Sequence, residues 1–259
     1  MPFLSRVWIN PLRQDARKLL GNPQAMHAAV LGGIPTDPVD ERVLWRVDAD
    51  RPRRPALLVL SQSKPSWEHL VEQASWPSAG TPQAHVRDYT PLLEQLEAGR
   101  RFAFRLTANP TKATKQPDKL TPAQRGSRER NAQRSMVVGH RTVEHQLQWL
   151  LDRTPSWGIR VPAARTDPAV VDERGVSPTA GGETSMEHDW APPDVRVSGR
   201  QRLSFPRGGS RVTLQQVTYE GHLVIEDPDR VREVLLSGVG RGKAYGCGLL
   251  TLAPVGESG

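Results

Sequence analysis

A single cysteine, Cys247, in 259 residues excludes an intramolecular disulfide and any cysteine-based zinc cage. That usage fits a reducing compartment, and the expected location is the cytoplasm. The segment Met1–Arg6 lacks the long apolar core of a secretory leader. No apolar run approaches the ~18–20 residues of a membrane span, so no membrane partner is expected. The histidines show no HxxxH or HExxH spacing on a helical stretch, and His140 and His145 have no acidic partner arranged to complete a ligand set. No metal site and no cofactor are therefore expected. A GxSxG elbow, a Walker A loop and a dinucleotide fingerprint are also missing, which leaves Ser/His/Asp and nucleotide chemistry without support.

Positive charge is what the chain has in excess: +7 net, with a pI near 10.1. A basic surface favours polyanions, because each neutralised phosphate releases condensed counterions. The distribution sharpens this. Residues 111–136 hold seven Lys/Arg against two acids and read as a basic flexible linker or loop. Residues 163–194 are the opposite, with seven acids against two Arg, and read as an acidic insertion. Regular structure is expected on either side, over 1–110 and 137–259.

The first region reads as strand Phe3–Ile9, helix Pro11–Leu31 with Leu12, Ala16, Leu19 and Leu20 inward, and strands Arg42–Asp48 and Ala56–Leu60. A helix near Trp67–Ala74 and a strand Arg101–Thr107 follow. Asn22-Pro23 looks like a helix restart, Asn suiting the N-cap and Pro the first helical position. The second region has an amphipathic helix Thr142–Arg153, with Val143, Leu147, Leu150 and Leu151 on one stripe. Strands Arg196–Arg211 and Thr213–Glu226 follow, then a helix from Asp227-Pro228 to Gly238 and a last strand Gly248–Ala253. Two ferredoxin-like (RRM-like) βαββαβ units in tandem, an α+β fold, account for this layout.

Three features are candidates for function. Arg196, Arg200, Arg202, Arg207 and Arg211 fall in a stretch without acids, with Gly208-Gly209 at a hairpin tip. Such a ribbon enters a nucleic-acid groove, or else is an edge strand using charge against aggregation. The run Gly238–Gly248, carrying Arg241 and Lys243, suits either a phosphate cradle or a helix C-cap followed by a glycine-weakened strand. His27 borders the inward stripe of Met26, Ala29 and Val30; composition alone reads it as a structural or surface histidine.

Four ordered stretches resemble the CasE family, the CRISPR RNA endoribonucleases of type I-E Cascade complexes. They are Asn10-Pro11 leading to Asn22–His27, Val43–Val47 (VLWRV), Phe104–Lys112 (FRLTANPTK), and the glycine-rich end Gly238–Pro254. The resemblance implies tandem ferredoxin-like domains, 1–110 and 137–259. It also implies recognition of the stem-loop in precursor CRISPR RNA. One cut at the 3′ base of the stem, by attack of a 2′-OH without metal, would follow, with the mature RNA retained beside other Cascade subunits. It places His27 at the catalytic position, and Arg200, Arg202, Arg207, Arg211, Arg241, Lys243 and Lys112 on the RNA. Where family members often carry tyrosine three residues before the histidine, this chain has Gln24, which exchanges no proton near neutral pH. Lys243 or Tyr245 would assist if the glycine-rich loop folds over His27. A non-catalytic subunit that only holds the repeat hairpin is the alternative implied by Gln24.

Overall fold

The computed structural model describes residues 1–36, 38–114, 136–164, 191–208 and 210–255. The fold is mixed α+β, built on two antiparallel sheets. The first contains β1 (Phe3–Trp8), β2 (Leu44–Asp48), β3 (Ala56–Ser61) and β4 (Ala84–Asp88) in the order β2-β3-β1-β4. Helices α1 (Gln14–Gly21), α2 (Pro23–Leu31) and α3 (Glu68–Ala74) cover one face of it. Val7, Ile9, Trp45, Leu57 and Val59 point to that face and pack on Ala16, Met26, Val30 and Leu70. Each large apolar side chain buried there contributes roughly 1.5–3 kcal/mol.

Asn22 ends α1 and caps α2, as its sequence implies: its side chain accepts from the main-chain N–H of Gln24 at 3.0 Å and of Ala25 at 3.4 Å. The helix expected from Pro11 begins instead at Gln14. Asn10 Oδ1 accepts from Leu12 N at 3.0 Å, a local turn that competes with the first helical turn. Leu12, expected on the inward stripe, is consequently 83% exposed.

The second sheet has the order β11-β5-β10-β8, with β9 also pairing β10. Its strands are β5 (Arg101–Ala108), β8 (Ile159–Arg160), β9 (Val195–Arg207), β10 (Ser210–Ile225) and β11 (Leu250–Pro254). β5 was expected to complete the first sheet; it is a central strand of the second, between β11 and β10. Phe102, Leu106 and Ala108 are buried in this sheet's core with Tyr219, Leu223 and Leu250. The first sheet takes β4 as its edge strand, a segment whose modest alternation in Ala84, Val86 and their polar neighbours hides it from sequence reading.

Among the described residues three α-helices pack on this sheet's core, the first being the short α4 (Thr90–Leu93), whose Leu93 is buried there. Asp227 caps α6 (Pro228–Ser237), and Gly238 at φ +71° ends it, as expected. Thr142 caps α5 (Val143–Leu151), whose buried residues are Gln146, Trp149 and Leu150, while the expected inward Val143 is exposed. Trp149, packed edge-on to Trp157 and stacked with Tyr219, turns the buried stripe away from Val143.

The basic stretch 111–136 is tied at both ends, because β6 (Thr111–Thr114) pairs antiparallel with β7 (Met136–Gly139). Residues 115–135 and 165–190, the bulk of the two charged segments, lie outside the described residues. No described helix is long and apolar enough to cross a membrane.

Candidate functional site

His27 sits on α2 one residue past the buried Met26, which places its ring at the edge of the first core. Its Nδ1 is buried and unpaired. Burial lowers the imidazole pKa from its ordinary value, because the charged form loses hydration. At neutral pH the ring is thus a neutral proton acceptor. Gln24, one turn earlier, is exposed, with its main-chain N–H committed to the Asn22 cap.

The glycine-rich segment folds back onto this helix. A 3-10 turn, Lys243–Tyr245, packs against both α2 and β2. Glycine is required at Gly246, where φ is +78° and a Cβ would lie 2.8 Å from the Trp45 ring. The segment therefore combines both sequence readings: Gly238 is a helix C-cap, and the following left-handed glycines bring a cationic turn beside the histidine helix. Lys243 is partly buried, and its ammonium pKa is lowered by desolvation and by the nearby Arg42. Tyr245 stacks edge-on to Phe205 at 4.9 Å, and its carbonyl accepts from Gln216 Nε2 at 2.7 Å. Arg241 is exposed, and its main chain bridges to Asn109. Asn109 is buried, and its Oδ1 accepts from Gln215 N at 3.2 Å, so the Ala-Asn-Pro turn after β5 anchors both the loop and β10.

The arginine hairpin forms as expected, turning at Gly208. Arg200, Arg202 and Arg211 are exposed. Arg211 Nε donates to Ser204 Oγ at 2.8 Å, and Arg200 Nη2 donates to the carbonyl of Arg141. The Arg207 side chain lies outside the described residues. The stretch is acid-free in sequence but not in space: Glu220 on β10 pairs with Arg196 at 3.0 Å and with Arg105. Lys112 is exposed on β6, where its charge helps to lower the pKa of His140 after desolvation.

Between α1, α2 and β2 on one side and β9 and β10 on the other runs a cleft of about 770 Å³. Trp45, Arg105, Arg200, Gln216 and Tyr245 are among its walls. His27 and Lys243 do not line it, nor do Arg202, Arg211 and Lys112. The site residues thus form three groups: the helix with His27 and the turn with Lys243, the hairpin arginines, and Lys112 on its own ladder.

Sequence reading missed the network that fixes these groups. Arg46 is 2% exposed and holds Asp48 with two contacts, Nε–Oδ1 at 2.6 Å and Nη2–Oδ2 at 3.0 Å. It also donates to the carbonyls of Arg105 and Leu249 and to Thr251 Oγ1, each at 3.0 Å. Arg105 in turn pairs with Asp48 at 3.3 Å and Asp50 at 2.5 Å. These arginines join the two sheets and are spent on protein. Among the described residues no group of three or more His, Cys, Asp or Glu is placed to hold a metal ion. Burial pushes the Cys247 thiol up to about 12, so it offers no thiolate at neutral pH.

A family model described as CRISPR associated protein matches residues 2–254. The CRISPR-associated endoribonuclease Cse3 of Thermus thermophilus is 29% identical over 257 residues, covering 97% of this chain and all of that one. The CRISPR system Cascade subunit CasE of Escherichia coli is 26% identical over 215 residues, covering 82% of this chain and 89% of its own. Among solved structures, Thermus thermophilus Cse3 bound to an RNA representing a pre-cleavage complex superposes with a TM-score of 0.67 at 27% identity, covering 98% of this chain and 99% of that one. With a match running from the first strand to the last, through the histidine helix, the Ala-Asn-Pro turn and the glycine-rich end, the chain belongs to the CRISPR associated protein family, in the group of Cse3 and CasE.

Proposed function

We propose that the protein is an endoribonuclease that recognises the stem-loop in the repeat of precursor CRISPR RNA and cuts once at the 3′ base of the stem. The carrying observation is His27: a partly buried imidazole kept neutral near pH 7, on a helix against which a lysine-bearing turn packs. The upstream 2′-OH attacks the scissile phosphorus and the bond to the 5′-oxygen breaks, leaving a 2′,3′-cyclic phosphate and a 5′-hydroxyl. The nucleophile is part of the RNA, so this step calls on no metal-bound water. His27 takes the 2′-OH proton, the role its depressed pKa suits, and the departing 5′-oxygen takes a proton from solvent water. Lys243 and Arg241, on the same loop, hold the scissile phosphate region.

The exposed hairpin residues Arg200, Arg202, Arg207 and Arg211 grip the stem, whose A-form major groove is too narrow for reading bases, so shape and phosphates dominate. Lys112 adds a further phosphate contact. The mature RNA stays bound, and the protein serves as a subunit of a Cascade-type complex in the cytoplasm. Architecturally, we read two ferredoxin-like units: β1 to β4 with α1–α3, then β5, α5, β9, β10, α6 and β11, which places the domain boundary before β5.

Incubation with a labelled repeat hairpin in EDTA, resolved on a denaturing gel beside the His27→Ala variant, tests the reading. A single cut that survives EDTA and is lost in the variant is expected; undiminished cutting by His27→Ala refutes it. Gln24 favours a second reading, a subunit that binds the hairpin without cleaving it, and tight binding with no cut by the wild type would establish that instead.

A further inference from the structure

The face of the first sheet turned away from the helices is only half covered. Leu4, Arg6 and Trp8 of β1 lie on it, alternating with the buried Ser5, Val7 and Ile9. Cross-strand register places Arg6 between Leu58 of β3 and His85 of β4, and Leu4 opposite Arg87. At the β2 end, Leu44 and Leu60 are buried in the second sheet's core. At the β4 end no described element covers the face: Arg6 and Arg87 are exposed, and Trp8 and His85 are half-buried.

Trp8 orders two arginines here. The guanidinium carbons of Arg6 and Arg54 lie 4.8 and 4.6 Å from its ring centroid, and that of Arg54 is 5.7 Å from Trp76. Cation–π contact fixes the planes of these groups without consuming their N–H donors. Arg54 makes one long contact, to Gln83 Oε1 at 3.4 Å. None of the described salt bridges involves Arg6, Arg54 or Arg87. Asp88, at the end of β4, has its carboxylate turned to accept from Thr90 N at 2.9 Å. The arginines between the two sheets are saturated with acids, whereas these, on the open half, are ordered and have no acidic partner among the described residues.

We propose that this open half-face binds single-stranded RNA, namely the 5′ strand that stays joined to the hairpin after a cut at its 3′ base. Bases stack on the guanidinium planes and on the edges of Trp8 and Trp76, and phosphates accept from Arg6, Arg54 and Arg87. A duplex buries its base faces and has nothing to stack here, so the site selects single strands. A protein partner would also favour Trp and Arg, but this cluster of cations without acids fits a polyanion. The inference rests on the RNA-processing reading above.

The test compares a repeat hairpin with the same hairpin carrying about eight unpaired nucleotides on its 5′ side, bound to wild type, to Trp8→Ala and to an Arg6→Glu/Arg87→Glu double variant. The extension should tighten wild-type binding by about tenfold or more, the scale of one or two stacked bases. Both variants should lose most of that gain, with affinity for the bare hairpin within about twofold and cutting retained. The double variant alters only exposed side chains, so it keeps the test intact if Trp8→Ala unfolds. An extension that gives the wild type no gain, or the same gain in the folded variants, overturns the proposal. Should the wild type ignore the hairpin altogether, the processing reading fails instead. The face is then judged with the single strand alone: weakened binding in the variants supports it, and equal binding overturns it.

Discussion

The guanidinium of Arg46, on an edge strand of the first sheet, donates to the main-chain carbonyl of Leu249, 203 positions later and beside the second sheet, at 3.0 Å. Arg46→Met should destabilise the protein by about 3–5 kcal/mol, because Asp48 and two buried carbonyls lose a partner in a water-poor seam. Urea unfolding monitored by far-UV circular dichroism checks this. Arg46→Lys should recover little, since an ammonium cannot span the same fork of acceptors.

The pH dependence of cleavage follows from the direction of the His27 shift. Its folded pKa lies below the ordinary 6.5, so the acceptor form persists as pH falls through 6.5. Single-turnover rates should stay level there and decline only at lower pH. A rate that rises on acidification would instead make His27 the proton donor. Stability follows the same sign: the unfolded chain binds the proton more readily, so the contribution of His27 is full above 6.5 and is lost as pH falls through its folded pKa.

Gln24 is exposed on α2, and its side chain has no described hydrogen bond, so tyrosine fits without repacking. Gln24→Tyr should raise the single-turnover rate with little change in hairpin affinity. The expected gain is about tenfold or more, toward the 10²–10⁴ that a positioned acid–base group supplies.

Gly246→Ala forces a side chain into φ +78° and against the Trp45 ring. The expected cost is about 1–3 kcal/mol in stability. Because the turn carrying Lys243 leads into this glycine, cleavage should fall more than hairpin binding, read from rates at saturating protein beside a binding isotherm.

Arg202→Ala and Arg211→Ala should each weaken hairpin binding and reduce the slope of log K against log salt by about one, the signature of a lost phosphate contact. Filter binding over a salt series measures it. Arg196→Ala should leave the slope nearly unchanged, since Glu220 already neutralises that residue.

The features legible in sequence were those written in neighbouring residues. Asn22-Pro23 announced a capped helix, and Asp227-Pro228 with Gly238 bracketed another. Gly208-Gly209 marked the turn of the arginine hairpin. Alternation in Phe102, Phe104 and Leu106 predicts a strand but not its partners, so chain order alone puts β5 with the first sheet, whereas it pairs with β10 and β11. Arg46 was unreadable because its acceptors are distant in the chain, and nothing near His27 distinguishes it from a core-edge histidine. Its role was suggested by family resemblance, and the folded chain adds the turn beside its helix.

The position of β5 bears on how the protein is made. Strands β1 to β4 are contiguous in the chain and can pair while translation continues, whereas β5 must wait beside a vacant edge until residues 250–254 arrive. The turn against the histidine helix, Lys243–Tyr245, precedes that strand by a few residues, and the carbonyl that Arg46 grips, at Leu249, stands immediately before it. A ribosome-bound chain stalled before residue 240 would therefore hold the paired strands of the first sheet without the turn that packs beside His27, so on the proposed reading it should not cut a repeat hairpin.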